Sequence, residues 1–157
     1  MKIVVNTSPI ILLFKSNLDY ILEQLATEIY LPGAVYDEIA DYPQDGLFKI
    51  LITKTAFRKL TIPVNQKILA WDLGKGETEV ISCALNNQSL IPILDDAEAK
   101  ACCLAHGLKP MGTGSLLVLA KKTGLISSVR ESLQVMRDKG MWISDIVIDL
   151  LAQAAGE

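Results

Sequence analysis

Four acidic residues stand where the sequence predicts the end of a strand or the start of a helix, beside apolar segments: Glu38, Glu77, Asp95 and Asp96. Asn6 occupies a fifth such position and carries an amide in place of a charge. Carboxylates gathered in one dry pocket repel each other, so they either take up protons or are held together by a cation. The pattern therefore predicts a metal site.

Two of these acids share faces with apolar residues of predicted helices. Glu38 lies on the same face as Val35 and Ile39, at the i+3 and i+4 spacing of a helix. Glu77 aligns with the apolar stripe of the helix that follows it, and the same periodicity turns Glu79 outward. An acid at the edge of a stripe, or one that complements the helix macrodipole, explains each position equally well. Only the presence of the other acidic residues favours a metal site over these structural explanations.

Asp95 and Asp96 follow the apolar segment 91–94 and open the next predicted helix. If Asp95 is the N-cap, Glu98 completes a capping box and one aspartate is explained structurally. The second aspartate is then unexplained. Two adjacent carboxylates at the carboxyl end of a strand are placed to bind a hard cation.

The elements that must position these residues alternate between strand and helix. The predicted strands are residues 2–5, 28–31, 90–94 and 109–111. The predicted helices are one capped by Ser8 with Pro9 in its first turn, then 18–26, 32–41, 75–86, 97–106, 113–122, 128 to about 140, and one that starts at Ser144. Residues 42–63 give mixed signals, with a loop at 43–46 and a candidate extra strand at 49–55. This order predicts an α/β fold with a mainly parallel sheet that binds ligands at the carboxyl ends of its strands.

The composition is that of a globular protein with a substantial core. The chain has 157 residues, of which 50% are hydrophobic and 21% charged, so we expect one domain over residues 1–157. The longest apolar segments of the sequence are too short for a membrane span, and no signal-peptide pattern is present. Both observations predict a cytoplasmic protein without membrane contact. The net charge of −3 provides no basic field, so contact with RNA depends on local patches or bridging cations. The three cysteines are predicted to be core thiols, and His106 is interpreted as structural.

Two further features are interpreted as mainly structural. The turn 112–115 follows a predicted strand and is interpreted as a tight turn with a helix cap. Thr113 or Ser115 is also a candidate to bind a phosphate or to assist a metal ligand, because the turn lies at the carboxyl end of a strand. Trp71 and Trp142 are interpreted as packing anchors. The apolar side of the last helix is interpreted as core, with a dimer or partner face as the alternative.

The order of five segments resembles a PIN domain, closest to a PIN-like branch near the VapC-type toxins of toxin-antitoxin modules. These segments are VVNTSP at 4–9, VYDEI at 35–39, GKGETE at 74–79, LDD at 94–96 and GT at 112–113. The resemblance covers nearly the whole chain. It implies a three-layer α/β/α fold with a central mainly parallel sheet and an endoribonuclease activity that requires Mg²⁺ or Mn²⁺. It also implies RNA as substrate, a homodimer, and inhibition by a small antitoxin protein.

The resemblance also assigns roles to individual residues. The implied metal ligands are Asn6, Glu38, Glu77 and Asp96, with the neighbouring Asp95 as a candidate to share the last position. The implied catalytic acids are Glu38, Glu77 and Asp96, and the supporting polar residues are Ser8 and Thr113.

Asn6 departs from the family pattern, which has an aspartate at this position. An asparagine offers its carbonyl oxygen but contributes no negative charge and cannot act as a base. One hypothesis is therefore a nuclease whose activity is weakened by Asn6. The alternative is a catalytically inactive PIN-like domain that binds RNA or a protein. A third hypothesis, a small α/β domain that binds a nucleotide or phosphate at 112–114, has the least support.

Overall fold

Four parallel strands form the central sheet, in the order β3-β2-β1-β4. The computed structural model describes residues 1–42, 46 and 56–157. The strands are β1 (Lys2–Val5), β2 (Glu28–Pro32), β3 (Phe57–Leu60) and β4 (Leu90–Ile93). Because the chain places β2 on one side of β1 and β4 on the other, the strand order reverses beside β1. Open parallel sheets bind ligands at the carboxyl ends of the strands at such a point.

Helices cover the sheet in a three-layer α/β/α arrangement, as predicted. The described residues contain nine helices: α1 (Thr7–Lys15), α2 (Tyr20–Leu25), α3 (Gly33–Ala40), α4 (Gln66–Leu69), α5 (Lys75–Asn86), α6 (Ala97–Ala105), α7 (Thr113–Lys122), α8 (Val129–Asp138) and α9 (Asp145–Ala154). In β1, Ile3, Val4 and Val5 are fully buried, since helices cover both faces of a central parallel strand.

The edge strand β3 lies in the segment whose sequence gave mixed signals. Arg58 and Lys59 are exposed and form ion pairs with Glu28 at 3.3 Å and Asp37 at 3.5 Å. Their charges conceal the strand pattern in the sequence, because an edge strand tolerates polar residues on its open side. The predicted loop at 43–46 and candidate strand at 49–55 lie outside the described residues, apart from Gly46.

Several predicted boundaries differ from the observed ones by one or two residues, and one predicted strand is largely lost. Helix α1 begins at Thr7, and Asn6 takes the N-cap position that was assigned to Ser8. Helix α3 begins at Gly33 rather than Pro32, which ends β2. The predicted strand 109–111 is reduced to one parallel bridge between Met111 and Ile93. Pro110 explains this last difference, since proline has no N–H to donate to a ladder.

The side of α9 that was interpreted as core is largely exposed. Ile146 and Leu150 are 72% and 59% exposed, whereas Ile148 and Ala152 are buried. Trp142, which was interpreted as a packing anchor, is 94% exposed. The interpretation was wrong because an apolar stripe shows that a face is suited to burial but not which surface covers it.

The three cysteines are buried and unpaired, as predicted. Burial raises the pKa of Cys83 and that of Cys103 to about 12, so both thiols stay protonated near neutral pH. His106 Nδ1 lies 2.9 Å from the carbonyl oxygen of Cys102, in keeping with a structural role. Among the described residues no helix is both long enough and apolar enough to span a membrane.

Candidate metal centre

Asn6 is a buried polar residue at the carboxyl end of β1. It follows β1 directly, and its side chain is 96% buried since only 4% of the residue is exposed. Its Nδ2 donates a hydrogen bond to Glu77 Oε1 at 2.7 Å, and its backbone N–H donates to the Ile93 carbonyl at 3.1 Å. Asn6 Oδ1 is buried and has no hydrogen-bond partner among the described residues. An unpaired buried acceptor is costly, so this oxygen is a candidate ligand.

Gly76 keeps open the space that Asn6 Oδ1 faces. A Cβ on residue 76 would lie 2.6 Å from Asn6 Oδ1 and 3.4 Å from each carboxylate oxygen of Glu38. The amide oxygen and the Glu38 carboxylate therefore border one gap at the start of α5. Glu38 is exposed, and one of its oxygens accepts a hydrogen bond from the hydroxyl of Thr7.

Glu79 fixes the helix that carries Glu38 against the helix that carries Glu77. Its Oε2 accepts a hydrogen bond from the backbone N–H of Ala34 at 2.8 Å. The prediction that Glu79 points outward was wrong, because the first N–H groups of α3 lack partners within the helix and a carboxylate of α5 satisfies one of them. The contact explains how α3 and α5 hold their acids close together.

Asp95 joins the end of β4 to the start of α7. Its Oδ1 accepts from the Thr113 backbone N–H at 2.8 Å, and its Oδ2 accepts from the Thr113 hydroxyl at 2.5 Å. Thr113 is fully buried. Both carboxylate oxygens are thus engaged within the protein, which gives Asp95 a clear structural role.

Asp96 is the N-cap of α6, where its Oδ1 accepts from the Ala99 backbone N–H at 2.8 Å. The N-cap is thus Asp96, so the condition for a capping box of Asp95 with Glu98 is not met. Asp96 is exposed, and Ser8 is exposed in the first turn of α1.

The prediction that four carboxylates share one dry pocket was wrong in this form. Glu38 and Asp96 are exposed because their side chains extend from helix starts and faces that reach solvent, and Asp95 is bound to Thr113. Across residues 1–42, 46 and 56–157, no three His, Cys, Asp or Glu side chains lie close enough to hold a metal ion. The structure instead brings together one amide and two acids, Asn6, Glu38 and Glu77, around Gly76.

This oxygen-only donor set fits a hard divalent cation. Mg²⁺ is bound by a few protein oxygens and keeps several waters, so two carboxylates and one amide oxygen suffice as protein ligands. The unpaired Asn6 Oδ1 and the space at Gly76 are the observations that support the fit. Thr7, Gly76 and Glu79 were not identified from the sequence as parts of the site; the GKG turn before Glu77 was the one available signal for Gly76.

The two neighbouring aspartates are expected to respond differently to the same substitution. Asp95→Asn replaces one accepting oxygen with a donor, so it should lower the free energy of unfolding by about 1–3 kcal/mol. Asp96→Asn should change it by less than about 0.5 kcal/mol, because asparagine caps a helix as well as aspartate does. Urea unfolding measures both values. Equal losses in the two variants would contradict the structural role of Asp95.

The comparison with protein families gave one finding. The model of the family DUF3368, described as a PIN domain, matches residues 2–157. The search of curated proteins and the search of solved structures each gave no significant match. The matched range includes β1 and every residue of the candidate metal centre, and PIN domains generally use divalent metal ions.

Proposed function

We propose that this chain, which belongs to the PIN-domain family, is an endoribonuclease that requires Mg²⁺ or Mn²⁺ and is weakened by Asn6. The observation that carries the proposal is the buried, unpaired Asn6 Oδ1, which borders a gap with the Glu38 carboxylate. A site of this kind is costly to keep unless a ligand satisfies the oxygen. The family's fold is nuclease-like, which gives the site its chemical context.

In this proposal Asn6, Glu38 and Glu77 hold the cation, and Asp96 completes the acidic rim. The bound cation would supply Lewis acidity, activating a water and neutralising charge at the phosphate. The residues of the chain orient the donors. Glu77 fixes the Asn6 amide through Nδ2, which leaves Oδ1 toward the gap, and Thr7 holds the Glu38 carboxylate. In this proposal Ser8, which is exposed at the start of α1, contacts the RNA backbone.

Compared with an aspartate, Asn6 stabilises the metal-free site and lowers the affinity of the site for the cation. Its amide donates to Glu77, so the two side chains attract in the absence of a cation. An aspartate there would repel Glu77 until a cation bound. A neutral ligand also contributes less to cation affinity than a carboxylate. Turnover below that of a site with an aspartate is the expected consequence.

Calorimetric titration of Mn²⁺ into the metal-free protein tests the site. We expect saturable binding that is at least roughly tenfold weaker in Glu77→Gln and in Asp96→Asn, because each variant loses a carboxylate. Cleavage of a single-stranded RNA should then require Mn²⁺ and stop in EDTA. Absence of saturable Mn²⁺ binding in the parent protein would contradict the metal site.

The second candidate function is an inactive PIN-like module that binds RNA or a protein. The hydrogen bond from Asn6 Nδ2 to Glu77 Oε1 favours it, because these two atoms are paired without a cation. RNA binding without Mn²⁺ binding or cleavage would support this function over the first.

The proposal extends to a cytoplasmic toxin that forms a homodimer and is inhibited by a small antitoxin. The exposed Ile146 and Leu150, one helical turn apart on α9, support a protein contact. Light scattering of Leu150→Glu should give half the mass of the parent if this face forms the dimer. An unchanged mass would count against that interface.

A further inference from the structure

We propose that a groove beside the metal centre binds one unpaired nucleotide of the RNA strand, with Trp142 stacked on the base and Lys100 on a backbone phosphate. The inference rests on the proposed function, because it places the RNA strand next to the residues that are proposed to hold the cation. The groove has a volume of about 730 Å³, and Asp95 and Asp96 line one part of it. Pockets of about 300–1,000 Å³ suit ligands of nucleotide size.

Trp142 supplies a surface for stacking. It lies between α8 and α9, lines the groove, and is 94% exposed, while its neighbours Met141 and Ile143 are half-buried. The neighbours anchor the segment so that the indole is presented to the groove. Unpaired bases stack on exposed aromatic rings of this kind without strong dependence on sequence.

Lys100 supplies a positive charge inside the groove. It is half-buried on α6, and its Nζ lies 2.9 Å from the place that a Cβ would occupy on Gly112. The glycine therefore leaves room for the ammonium group. Lys100 has no ion pair with any residue in the described part of the chain. Asp95 Oδ1 lies 3.2 Å from the same position on Gly112, so a carboxylate is nearby but forms no ion pair with the ammonium group, which can still bind an anionic ligand.

The charged side chains that line the groove are Asp95, Asp96 and Lys100, so a phosphate is favoured only beside Lys100 and next to helix starts. The groove lining includes residues from the first turns or caps of four helices: Ser8 of α1, Ala97 of α6, Ser115 of α7 and Ser144 of α9. The partial positive charge at each helix start favours an anion. Apolar side chains such as Leu12 and Val147 form the remaining wall, which suits a base next to its phosphate.

The same observations favour a short stretch of single strand over a protein helix. The net charge of −3 gives no field for long nucleic acid, so a local contact to one phosphate and one base is what the chain can offer. The residues best suited to a protein partner, Ile146 and Leu150, do not line the groove. They face another side of α9.

The test uses a labelled single-stranded decamer of 2′-O-methyl RNA, which resists cleavage, with EDTA present so that binding is measured apart from catalysis. Fluorescence anisotropy should show Trp142→Ala binding roughly 5- to 100-fold more weakly than the parent, with most affinity retained in Trp142→Phe. Lys100→Ala should reduce the slope of log K against log salt by about 0.7, the value for one phosphate contact on a single strand. Lys122→Ala, which changes an exposed lysine at the end of α7, is the matched control.

A second readout follows Trp142 directly. In a Trp71→Phe background the decamer should quench the remaining indole emission saturably. If quenching persists but Mn²⁺-dependent cleavage is absent, the nucleotide site stands and the proposed nuclease fails. If Trp142→Ala and Lys100→Ala bind and cleave as the parent does, the nucleotide site is overturned and the nuclease stands. Emission that changes with protein concentration, together with a mass that halves in Trp142→Ala, would show that a second copy covers the groove and would also overturn it.

Discussion

Asn6→Asp is expected to destabilise the metal-free protein by roughly 2–4 kcal/mol and to strengthen Mn²⁺ binding by roughly tenfold or more. The substitution removes the Nδ2 hydrogen bond to Glu77, which spans 2.7 Å, and puts a second carboxylate in its place. A hydrogen bond to a charged group is worth about 1.5–3 kcal/mol, and the repulsion of two carboxylates adds to its loss. A bound cation reverses the repulsion, because both carboxylates then become ligands.

Thermal unfolding with and without Mn²⁺ measures both effects. At one hundred times its dissociation constant Mn²⁺ should return about 2.7 kcal/mol to the variant. RNA cleavage should rise in parallel with metal occupancy. A metal-free variant as stable as the parent would show that the Asn6–Glu77 contact contributes little.

Asn65→Asp is the matched control, because Asn65 also stands at a helix N-cap. Its Oδ1 accepts a hydrogen bond from the Lys67 backbone N–H at 3.0 Å, which an aspartate does equally well. We expect no loss of stability and no response to Mn²⁺. The contrast isolates what is particular to Asn6, which stands at the N-cap of α1 without capping it.

The parts of the fold with strong local patterns could be predicted from the sequence. The β-branched run of β1 and the apolar periodicity of α5 gave boundaries that the structure confirms. The parallel sheet followed from the alternation of strands and helices. Strand β3 could not be predicted, because Arg58 and Lys59 form ion pairs at the edge and break the apolar pattern.

The sequence indicated the position of the candidate site but not the contacts between its residues. Position at the carboxyl end of β1 singled out Asn6, and helical spacing put Glu77 on the inner face. The contact between them joins residues 71 positions apart, so it depends on how α5 packs against the sheet. The long side chain of Glu38 reaches solvent although its Cα lies on an apolar stripe, which spacing alone does not reveal. Thr113 engages both oxygens of Asp95, a contact that only the return of the chain from β4 to α7 creates.

Gly76→Ala is expected to close the candidate metal site. The added Cβ would lie 2.6 Å from Asn6 Oδ1, closer than two such atoms can approach, and the Asn6 side chain is held by Glu77 and cannot move away freely. We expect overpacking to lower the free energy of unfolding by about 1–3 kcal/mol, although alanine favours a helix over glycine by about 1 kcal/mol. Mn²⁺ binding and any Mn²⁺-dependent cleavage should fall by roughly 10- to 100-fold, as when a group that orients metal ligands is lost.

Gly33→Ala separates the loss of space from the general effect of replacing a glycine at a helix start. Gly33 is the first residue of α3, and a Cβ there would meet Glu79 Oε2 at 3.6 Å, an ordinary contact. We expect this variant to be as stable as the parent or more stable by up to about 1 kcal/mol, with unchanged Mn²⁺ binding. Calorimetric titration and urea unfolding of both variants measure the difference. If Gly76→Ala bound Mn²⁺ as Gly33→Ala does, the space between Asn6 and Glu38 could not be where the cation sits, and the acidic rim around Asp96 would have to hold it instead.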